Sequence, residues 1–332
     1  MNDTVCIYGS RIMYRHLQAM QAEISGVREG SDIEYVHRMR VVSRRLRSAL
    51  TLFEGCFGKN NYKSITKDVR AVTRALGEAR DTDVQLEALA KEEINFSSRS
   101  LAPGYKRLIM RLQQRREGLQ GQVNAAMDQV AKDQVIEKIA ELTAPLAERA
   151  GSVYLFSPGL YAKAFDGIQS QIDELFSHEA YIQDPANVEQ LHAMRISAKR
   201  LRYSMEAFAD LYQEPIKPFI NEVKKVQDAL GLVHDLDVWI AYIPEFIEEE
   251  RQRIVAYFGH EGPLKRLLPG LRAFAESRKI LREQAYQDFL KLWETDANTR
   301  VWSNLKKLIA TPIDLENALL TSVETPENSA SQ

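Results

Sequence analysis

Two segments of the chain combine a histidine with a row of arginines and lysines, which are side chains that can bind phosphate. Residues 37–57 read HRMRVVSRRLRSALTLFEGCF, and residues 192–212 read HAMRISAKRLRYSMEAFADLY. The segments align without a gap, so the histidine, the methionine and the Arg-Leu-Arg step recur at matching positions. Arginine makes planar, bidentate contacts to phosphate, lysine acts as a point charge, and protonated histidine donates from both ring nitrogens. These residue types therefore favour the binding of a polyanion.

On an α-helix, the basic residues of each segment fall on one face. Successive residues are about 100° apart, so the basic positions of the first segment lie within an arc of roughly 80°. Apolar residues such as Met39, Leu46 and Phe53 lie on the opposite side, where they can pack into a core. The two basic faces carry His37, Arg40, Arg44 and Arg47 in the first segment and His192, Arg195, Lys199 and Arg202 in the second.

A lack of acidic residues distinguishes these faces from most solvated surface. A surface helix usually places acids three or four residues from its bases, because like charges at that spacing repel each other. No Asp or Glu occurs in residues 37–53 or 192–205. A solvated face or a helix start that the histidine caps is the simpler interpretation. The uncompensated repulsion in both segments nevertheless favours a bound anion that relieves it.

Further basic residues extend the predicted site beyond the two faces. A second helix in each half of the chain carries basic residues on one side, and a third, weaker match pairs one arginine in each half. Asn221 and Asp228 stand where the first half has Lys67 and Arg74, so the second set is predicted to be weaker. The added members are Arg45, Lys63, Lys67, Arg70, Arg74 and Arg116 in the first half, and Arg200, Lys217, Lys224, Lys225 and Arg282 in the second.

Two pairs of aspartates follow a Leu-Gly step in the matching segments ALGEARDTDV and ALGLVHDLDV: Asp81 and Asp83, then Asp235 and Asp237. Clustered carboxylates can ligate a metal ion or act in acid–base catalysis. They can also pair with arginines such as Arg45 and Arg200 and orient the basic faces, or cap a helix start. We favour the pairing with arginine, because no nucleophile, P-loop or zinc motif accompanies them. No catalytic or metal-ligating residue is therefore assigned.

The composition predicts a globular protein whose basic site is local. The 332 residues are 45% hydrophobic and carry a formal net charge of -2, so acids elsewhere must offset the basic faces. Residues 240–269, expected to include a longer loop in the second half, carry an acidic run that we interpret as a solvated face. Cys6 and Cys56 show no metal-binding spacing, and no disulfide is expected in the reducing, intracellular setting that we predict.

The hydrophobic pattern predicts an all-α protein. Apolar residues recur at three- and four-residue spacing, and strand-like alternation is nearly missing. The repeat predicts two copies of about four helices each, covering residues 1–148 and 159–322, with a linker near Pro145 to Pro158 and a disordered tail at 323–332. No secretory signal or membrane-spanning segment is recognised, so a soluble, cytoplasmic protein is expected.

The motifs quoted above resemble those of the CHAD family, the conserved histidine α-helical domain. The resemblance rests on His-x-x-Arg, on Arg-Arg-Leu-Arg or Lys-Arg-Leu-Arg, and on Leu-Gly-x-x-(Arg or His)-Asp-x-Asp-Val, and it extends from about Ser10 to Pro312. It implies two four-helix bundles related by a pseudo-twofold axis. It also implies basic helices that line a central groove or pore binding inorganic polyphosphate, with no cofactor.

Three classes of function remain in competition at this point. The first is a non-enzymatic polyphosphate-binding module, with association to polyphosphate granules as a further expectation. The second is a metal-dependent phosphohydrolase that uses the aspartate pairs. The third is a general polyanion or nucleic-acid binder, which is disfavoured because few aromatic residues interleave with the basic ones. A protein scaffold that presents the basic faces to an acidic partner is a further alternative.

Overall fold

A computed structural model of the protein describes residues 3–151, 157–295 and 300–312. In these ranges the chain forms helices and connecting turns without any β-strand, so the predicted all-α class is confirmed. The α-helices are α1 (Asp3–Glu29), α2 (Ile33–Leu52), α3 (Lys59–Ala75), α4 (Gly77–Glu92), α5 (Ala102–Lys132), α6 (Val135–Glu148), α7 (Pro158–Phe176), α8 (Val188–Ala207), α9 (Ala209–Tyr212), α10 (Lys217–Phe258) and α11 (Leu268–Trp293). Residues 300–312 are also helical. None of these helices is long and apolar enough to cross a membrane.

The two histidine-led segments form α2 and α8, and their apolar faces are buried as the spacing predicts. The side chain of Asp32 caps α2 by accepting a hydrogen bond from the Glu34 amide at 2.9 Å, which supplies a partner for one of the free amides at the helix start. Met39 and Leu46 on α2 and Leu201 on α8 are at most 1% exposed. Burial of these side chains against the core fixes the rotation of each helix, so the basic residues must face away from it.

One continuous hydrophobic core joins the two halves of the chain. Tyr8 of α1 stacks on Phe208 with ring centroids 6.1 Å apart, and Phe208 contacts Phe53 at 5.6 Å. The Tyr8 hydroxyl donates to the Ala207 carbonyl at 2.9 Å. Phe53 and Phe208 are matching positions of the two segments, at the C-terminal ends of α2 and α8. This shared core holds α2 against α8.

A second core lies where α5 crosses α11. Phe96, Tyr105 and Phe274 form a ring cluster there, with centroid distances of 4.5–5.7 Å. Two glycines allow the crossing: a Cβ added to Gly104 would lie 2.1 Å from the Leu267 carbonyl oxygen, and one added to Gly270 would lie 2.0 Å from that of Leu101. The two helices thus meet backbone to backbone.

Two segments expected to lie between helices are partly helical. Pro145, at the start of the predicted linker, lies inside α6, which continues to Glu148. Most of the loop expected within residues 240–269 is also helical, because α10 continues through Pro244 to Phe258. An interior proline removes one backbone hydrogen bond and clashes with the preceding turn, at a cost of about 3 kcal/mol. Burial of neighbours such as Ile139, Ile243 and Phe246 offsets that cost. Part of the predicted linker and the predicted tail at 323–332 lie outside the described residues.

The expectation of no disulfide is also wrong. Cys6 in α1 and Cys56 in the turn after α2 form a disulfide, with their Cα atoms 5.2 Å apart. The two residues are 50 positions apart in sequence. They meet because α1 packs along α2 and reaches the turn at its end, a contact that the sequence spacing does not reveal. The cysteines therefore give no support to a reducing setting.

The acidic run on α10 is a solvated face only in part. Glu250 is fully buried and accepts hydrogen bonds from Arg107 at 2.8 Å and Arg111 at 2.7 Å, both on α5, and from Arg253 at 2.8 Å. Its neighbour Glu249 is half-exposed, as expected for a solvated residue. The interpretation is therefore wrong for Glu250, because α5 brings Arg107 and Arg111 to this carboxylate and α10 itself supplies Arg253.

Candidate anion-binding groove

The basic faces of α2 and α8 face each other across the contact between the two helices. Lys199 on α8 experiences the charges of Arg40 and Arg44 on α2, and Arg47 on α2 experiences the charge of Arg200 on α8. These interactions between charges on different helices show that the two basic faces lie side by side. We call the surface between them the groove.

One end of the groove opens into a cavity of about 750 Å³ between α2, α4, α8, α10 and α11. Of the residues predicted from the sequence, His37, Arg40, Arg44, His192 and Arg195 line this cavity. Both halves of the chain therefore contribute cations to a single space.

Three further basic residues, Arg80, His234 and Arg278, line the same cavity and are missing from the predicted set. Arg278 pairs with Glu92, which also lines the cavity. Arg80 and His234 occupy the same position in the two aligned Leu-Gly segments, three residues after the glycine. This position could have been recognised in the sequence, because both matching segments place Arg or His immediately before the first aspartate.

The crowding of cations lowers the pKa of several groove residues. Burial, followed by the charges of Arg44, Arg195, Arg200 and Arg40, lowers the pKa of Lys199 to about 7. Burial is also the main cause that lowers the pKa values of the groove arginines at positions 40, 47 and 195, and neighbouring arginines add to it. The folded protein thus holds these positive charges at an energetic cost.

Four of the groove cations have no carboxylate to relieve this cost. Within the described residues, no Asp or Glu oxygen lies within 4.0 Å of the charged nitrogens of Arg44, Arg47, Lys199 or Arg200. Arg195 also has no carboxylate within this distance in the described part of the chain, but the nearby charge of Asp235 acts on it. Most other arginines in the same ranges have such a partner, for example Arg38 with Glu23 at 3.0 Å. The uncompensated repulsion inferred from the sequence is therefore present between α2 and α8.

The glycine of each Leu-Gly step lies close to the side chain of a groove arginine. A Cβ added to Gly77 would lie 3.1 Å from Nη1 of Arg40, and one added to Gly231 would lie 3.7 Å from Nε of Arg195. An added methyl group at Gly77 would press on the Arg40 guanidinium, whereas one at Gly231 would make an ordinary van der Waals contact with Arg195. The sequence predicted the step but not this role, which depends on how α2 packs on α4 and α8 on α10.

The second aspartate of each pair is held by an arginine. Arg116 Nε donates to Asp83 at 2.6 Å, and Arg282 Nε donates to Asp237 at 2.9 Å. The side chain of Asp83 is 1% exposed, and those of both arginines are mostly buried. Arg116 and Arg282, predicted from the sequence as phosphate-binding residues, thus point into the fold and do not line the cavity.

The first aspartate of each pair faces the cavity. Asp81 lies 3.3 Å from Arg40, and Asp235 experiences the charges of Arg195 and Asp81. Burial raises the pKa of Asp235 above its ordinary value, and Arg195 opposes that rise. Three of the four aspartates therefore pair with arginines, and Asp235 lies near the charge of Arg195, but the partners predicted from the sequence, such as Arg45 and Arg200, are wrong. In the part of the chain that the structure describes, no three His, Cys, Asp or Glu side chains are grouped to hold a metal ion.

Comparison with known proteins identifies the family. A model of the CHAD domain matches residues 11–244, which is more than half of the chain. The protein belongs to the CHAD domain family. The match ends inside α10, short of the expected end near Pro312.

Solved structures support this assignment. The crystal structure of the CHAD domain from the plant Ricinus communis superposes with a TM-score of 0.58 at 25% identity, covering 81% of this chain and 92% of that chain. PptA from Streptomyces chartreusis has a similar fold, with a TM-score of 0.51 at 16% identity, covering 85% of this chain and 99% of the other. An uncharacterized protein of Mycobacterium tuberculosis is 27% identical over 213 residues, covering 59% of this chain and 37% of that protein. The matched region thus spans little more than a third of that relative's length.

An ion-pair cluster links α2 and α8 in this CHAD domain at residues that do not line the cavity. Glu206 of α8 accepts from Arg45 of α2 at 3.0 Å and from Arg202 at 3.2 Å. Arg202 also donates to Gln227 at 2.9 Å and lies over the ring of Tyr203. Arg45 and Arg202 are therefore partly neutralised and link the two halves.

The second basic helices contribute unequally to the CHAD surface. The basic surface continues along α3 with four exposed cations, Lys63, Lys67, Arg70 and Arg74. After burial, the charge of Arg70 contributes to the lowered pKa of Arg47. On α10, Lys217 pairs with Glu214, and Lys225 pairs with Glu222 at 2.7 Å. Lys224 is exposed. The weaker second set expected from the sequence is thus further offset by local acids.

Replacing Arg116 by alanine separates a structural role from a binding role. The change leaves the Asp83 carboxylate buried without its ion-pair partner, and we expect the free energy of unfolding to fall by about 3 kcal/mol. The affinity of the remaining folded protein for polyphosphate should stay within about twofold, since Arg116 does not reach the cavity. Arg115→Ala is the matched control, because Arg115 is the exposed neighbour on the same helix. A large loss of affinity without loss of stability in Arg116→Ala would contradict the structural role.

Proposed function

We propose that this CHAD domain binds inorganic polyphosphate in the groove between α2 and α8. The observation that carries the proposal is the set of four facing cations without carboxylate partners, Arg44, Arg47, Lys199 and Arg200. A chain of phosphates that lies along the groove places a negative charge near each of them. Binding then relieves the repulsion that the folded protein otherwise retains.

The aromatic residues near the groove favour polyphosphate over nucleic acid. Proteins that bind single-stranded nucleic acid stack bases on exposed aromatic rings. Tyr203 and Trp239, the aromatic residues that lie beside the groove and the cavity in the described ranges, are 7% and 5% exposed. They therefore offer little ring surface to a base, whereas the arginines remain open to phosphate.

We further propose that the two halves are related four-helix bundles, residues 1–148 and 159–322, with the groove on their pseudo-twofold axis. Corresponding residues of the aligned segments make corresponding contacts. Arg116 binds Asp83 as Arg282 binds Asp237, and Gly77 lies under Arg40 as Gly231 lies under Arg195. Such an arrangement would present one continuous cationic surface built from both halves.

The proposed role is binding without catalysis. Three of the four motif aspartates are engaged by arginines within 3.3 Å, which supports a role in orienting the groove rather than in hydrolysis. Docking at polyphosphate granules would follow from the affinity for the polymer, and it is part of the same proposal.

Titration calorimetry with long-chain polyphosphate at 50 and 200 mM salt tests the proposal. Each phosphate contact releases condensed counterions, and four contacts should weaken binding roughly fifty-fold between these concentrations. Triphosphate offers only three phosphates to these four cations, so it should bind more weakly than the polymer. Undetectable binding, or an affinity that does not change with salt, would overturn the proposed function.

A further inference from the structure

Two histidines of the second half form a hydrogen-bonded pair inside the cavity. Nδ1 of His192 on α8 lies 3.0 Å from Nδ1 of His234 on α10, and the ring centroids are 4.2 Å apart. Only one proton can lie between the two nitrogens, so one ring donates through Nδ1–H and the other accepts with a bare Nδ1. The pair, while intact, therefore holds at most one positive charge.

The surroundings of the pair are mainly cationic. The titratable and charged groups that line the same cavity or act on the pair are Arg195 and Lys199 on α8, Asp235 on α10, His37, Arg40 and Arg44 on α2, Arg80, Asp81 and Glu92 on α4, and Arg278 and Asp288 on α11. Burial and then Arg195 lower the pKa of His234 to about 4, and the same causes lower the pKa of His192. No carboxylate in the described ranges lies within 4.0 Å of either ring. Both histidines are thus neutral in the free protein near pH 7.

The first half of the chain differs at the matching position. Arg80 stands where the second half has His234, and among the cations its charge has the largest effect on the pKa of His37, which burial lowers most. An arginine keeps its charge throughout the physiological pH range. One half of the cavity therefore carries a permanent cation, and the other half carries a group that can gain its charge.

We propose that His234 is a further phosphate-contacting residue of the groove and that the His192–His234 pair takes up one proton when a phosphate chain binds. This inference rests on the proposed function. The incoming negative charge stabilises an imidazolium, so a solvent proton adds to the free Nε2 of the donor ring while the Nδ1–H···Nδ1 bond is kept. Both rings then present an Nε2–H group that can donate to phosphate oxygens.

The direction of the pH effect follows from the pKa change. Binding raises the pKa of the pair above its value in the free protein, so the added affinity is complete below the free-state pKa. It is lost as the pH rises through the bound-state pKa. Affinity should therefore increase as the pH falls from 7 toward 5, by up to about tenfold per pH unit for one proton. Lys199, with a pKa of about 7, is charged in both states below pH 6 and contributes its own uptake only near and above pH 7.

Calorimetry at pH 6.0 in two buffers of different ionisation enthalpy counts the protons taken up with long-chain polyphosphate, with EDTA present to exclude metal ions. We expect wild type to take up nearly one proton more than His234→Arg, which restores the residue of the first half. His234→Gln, which cannot become charged, should lose the same uptake and also bind more weakly. Lys199→Arg should leave the uptake at pH 6.0 unchanged.

The outcomes separate this inference from the proposed function. If wild type and both His234 variants bind polyphosphate with equal proton uptake, the inference is wrong and the proposed function stands. If wild type does not bind polyphosphate at any pH between 5.5 and 7.5, both fail. Circular dichroism of each variant verifies that the helices are retained.

Discussion

We expect Arg44→Glu combined with Lys199→Glu to abolish the proposed polyphosphate binding without loss of stability. The two residues lie on facing helices in the most crowded part of the groove and have no carboxylate partner in the described ranges. Reversing both charges removes two phosphate contacts and adds two repulsive groups, so we expect the affinity to fall at least about a hundredfold. Because the new carboxylates lie beside Arg40, Arg195 and Arg200, the free energy of unfolding should be unchanged or higher.

Titration calorimetry and urea unfolding measure the two effects on the same protein. Lys106→Glu combined with Lys132→Glu is the matched control, because it makes the same change in net charge at exposed positions of α5 that do not line the cavity. A fall in affinity that is equal in the two double variants would show that only overall charge matters. Unchanged affinity in the Arg44→Glu and Lys199→Glu double variant would contradict the binding of polyphosphate in the groove.

Gly104→Ala and Gly270→Ala should each destabilise the protein by about 2–3 kcal/mol or more. The added methyl group meets a backbone carbonyl oxygen at 2.1 or 2.0 Å, and a backbone atom cannot move aside as a flexible side chain can. The crossing of α5 and α11 must open, which exposes the second core around Tyr105 and Phe274. Urea denaturation gives the change in the free energy of unfolding.

The predicted loss of stability has the opposite sign to the usual effect of replacing glycine by alanine in a helix. In an unconstrained helix, replacing glycine by alanine stabilises by about 1 kcal/mol. Gly118 and Gly121 lie in the same helix α5 with no atom within 4 Å of an added Cβ, so Gly118→Ala and Gly121→Ala are expected to stabilise the protein. A stabilising effect of Gly104→Ala equal to that of Gly118→Ala would contradict the close crossing of the two helices.

The sequence predicts those features of the fold that depend on residue spacing within a single helix. The helical class, the buried faces of α2 and α8 and the basic faces opposite them all follow from three- and four-residue spacing, which acts within a single helix. The position shared by Arg80 and His234 was also present in the aligned motifs. Its place in the cavity could be recognised only once α4 and α10 were seen beside α2 and α8.

The choice of partners could not be predicted, because it depends on how distant helices cross. Arg45 pairs with Glu206, which is 161 residues away, rather than with a motif aspartate. Glu250 belongs to an acidic run, yet three arginines bury it. Pro145 signals a chain break, but the packing of α6 outweighs its local preference. In each case a tertiary contact decides the outcome.

Amine labelling of Lys199, with and without polyphosphate, tests the central claim most directly. Because its pKa is about 7, Lys199 is largely neutral at pH 7.5 and should react with an acylating reagent faster than exposed lysines such as Lys132. Long-chain polyphosphate should protect Lys199 and leave Lys132 unchanged, and single-stranded RNA at equal phosphate concentration should protect it far less. Equal labelling of Lys199 in the presence and absence of saturating polyphosphate would contradict the binding of the polymer in the groove between α2 and α8.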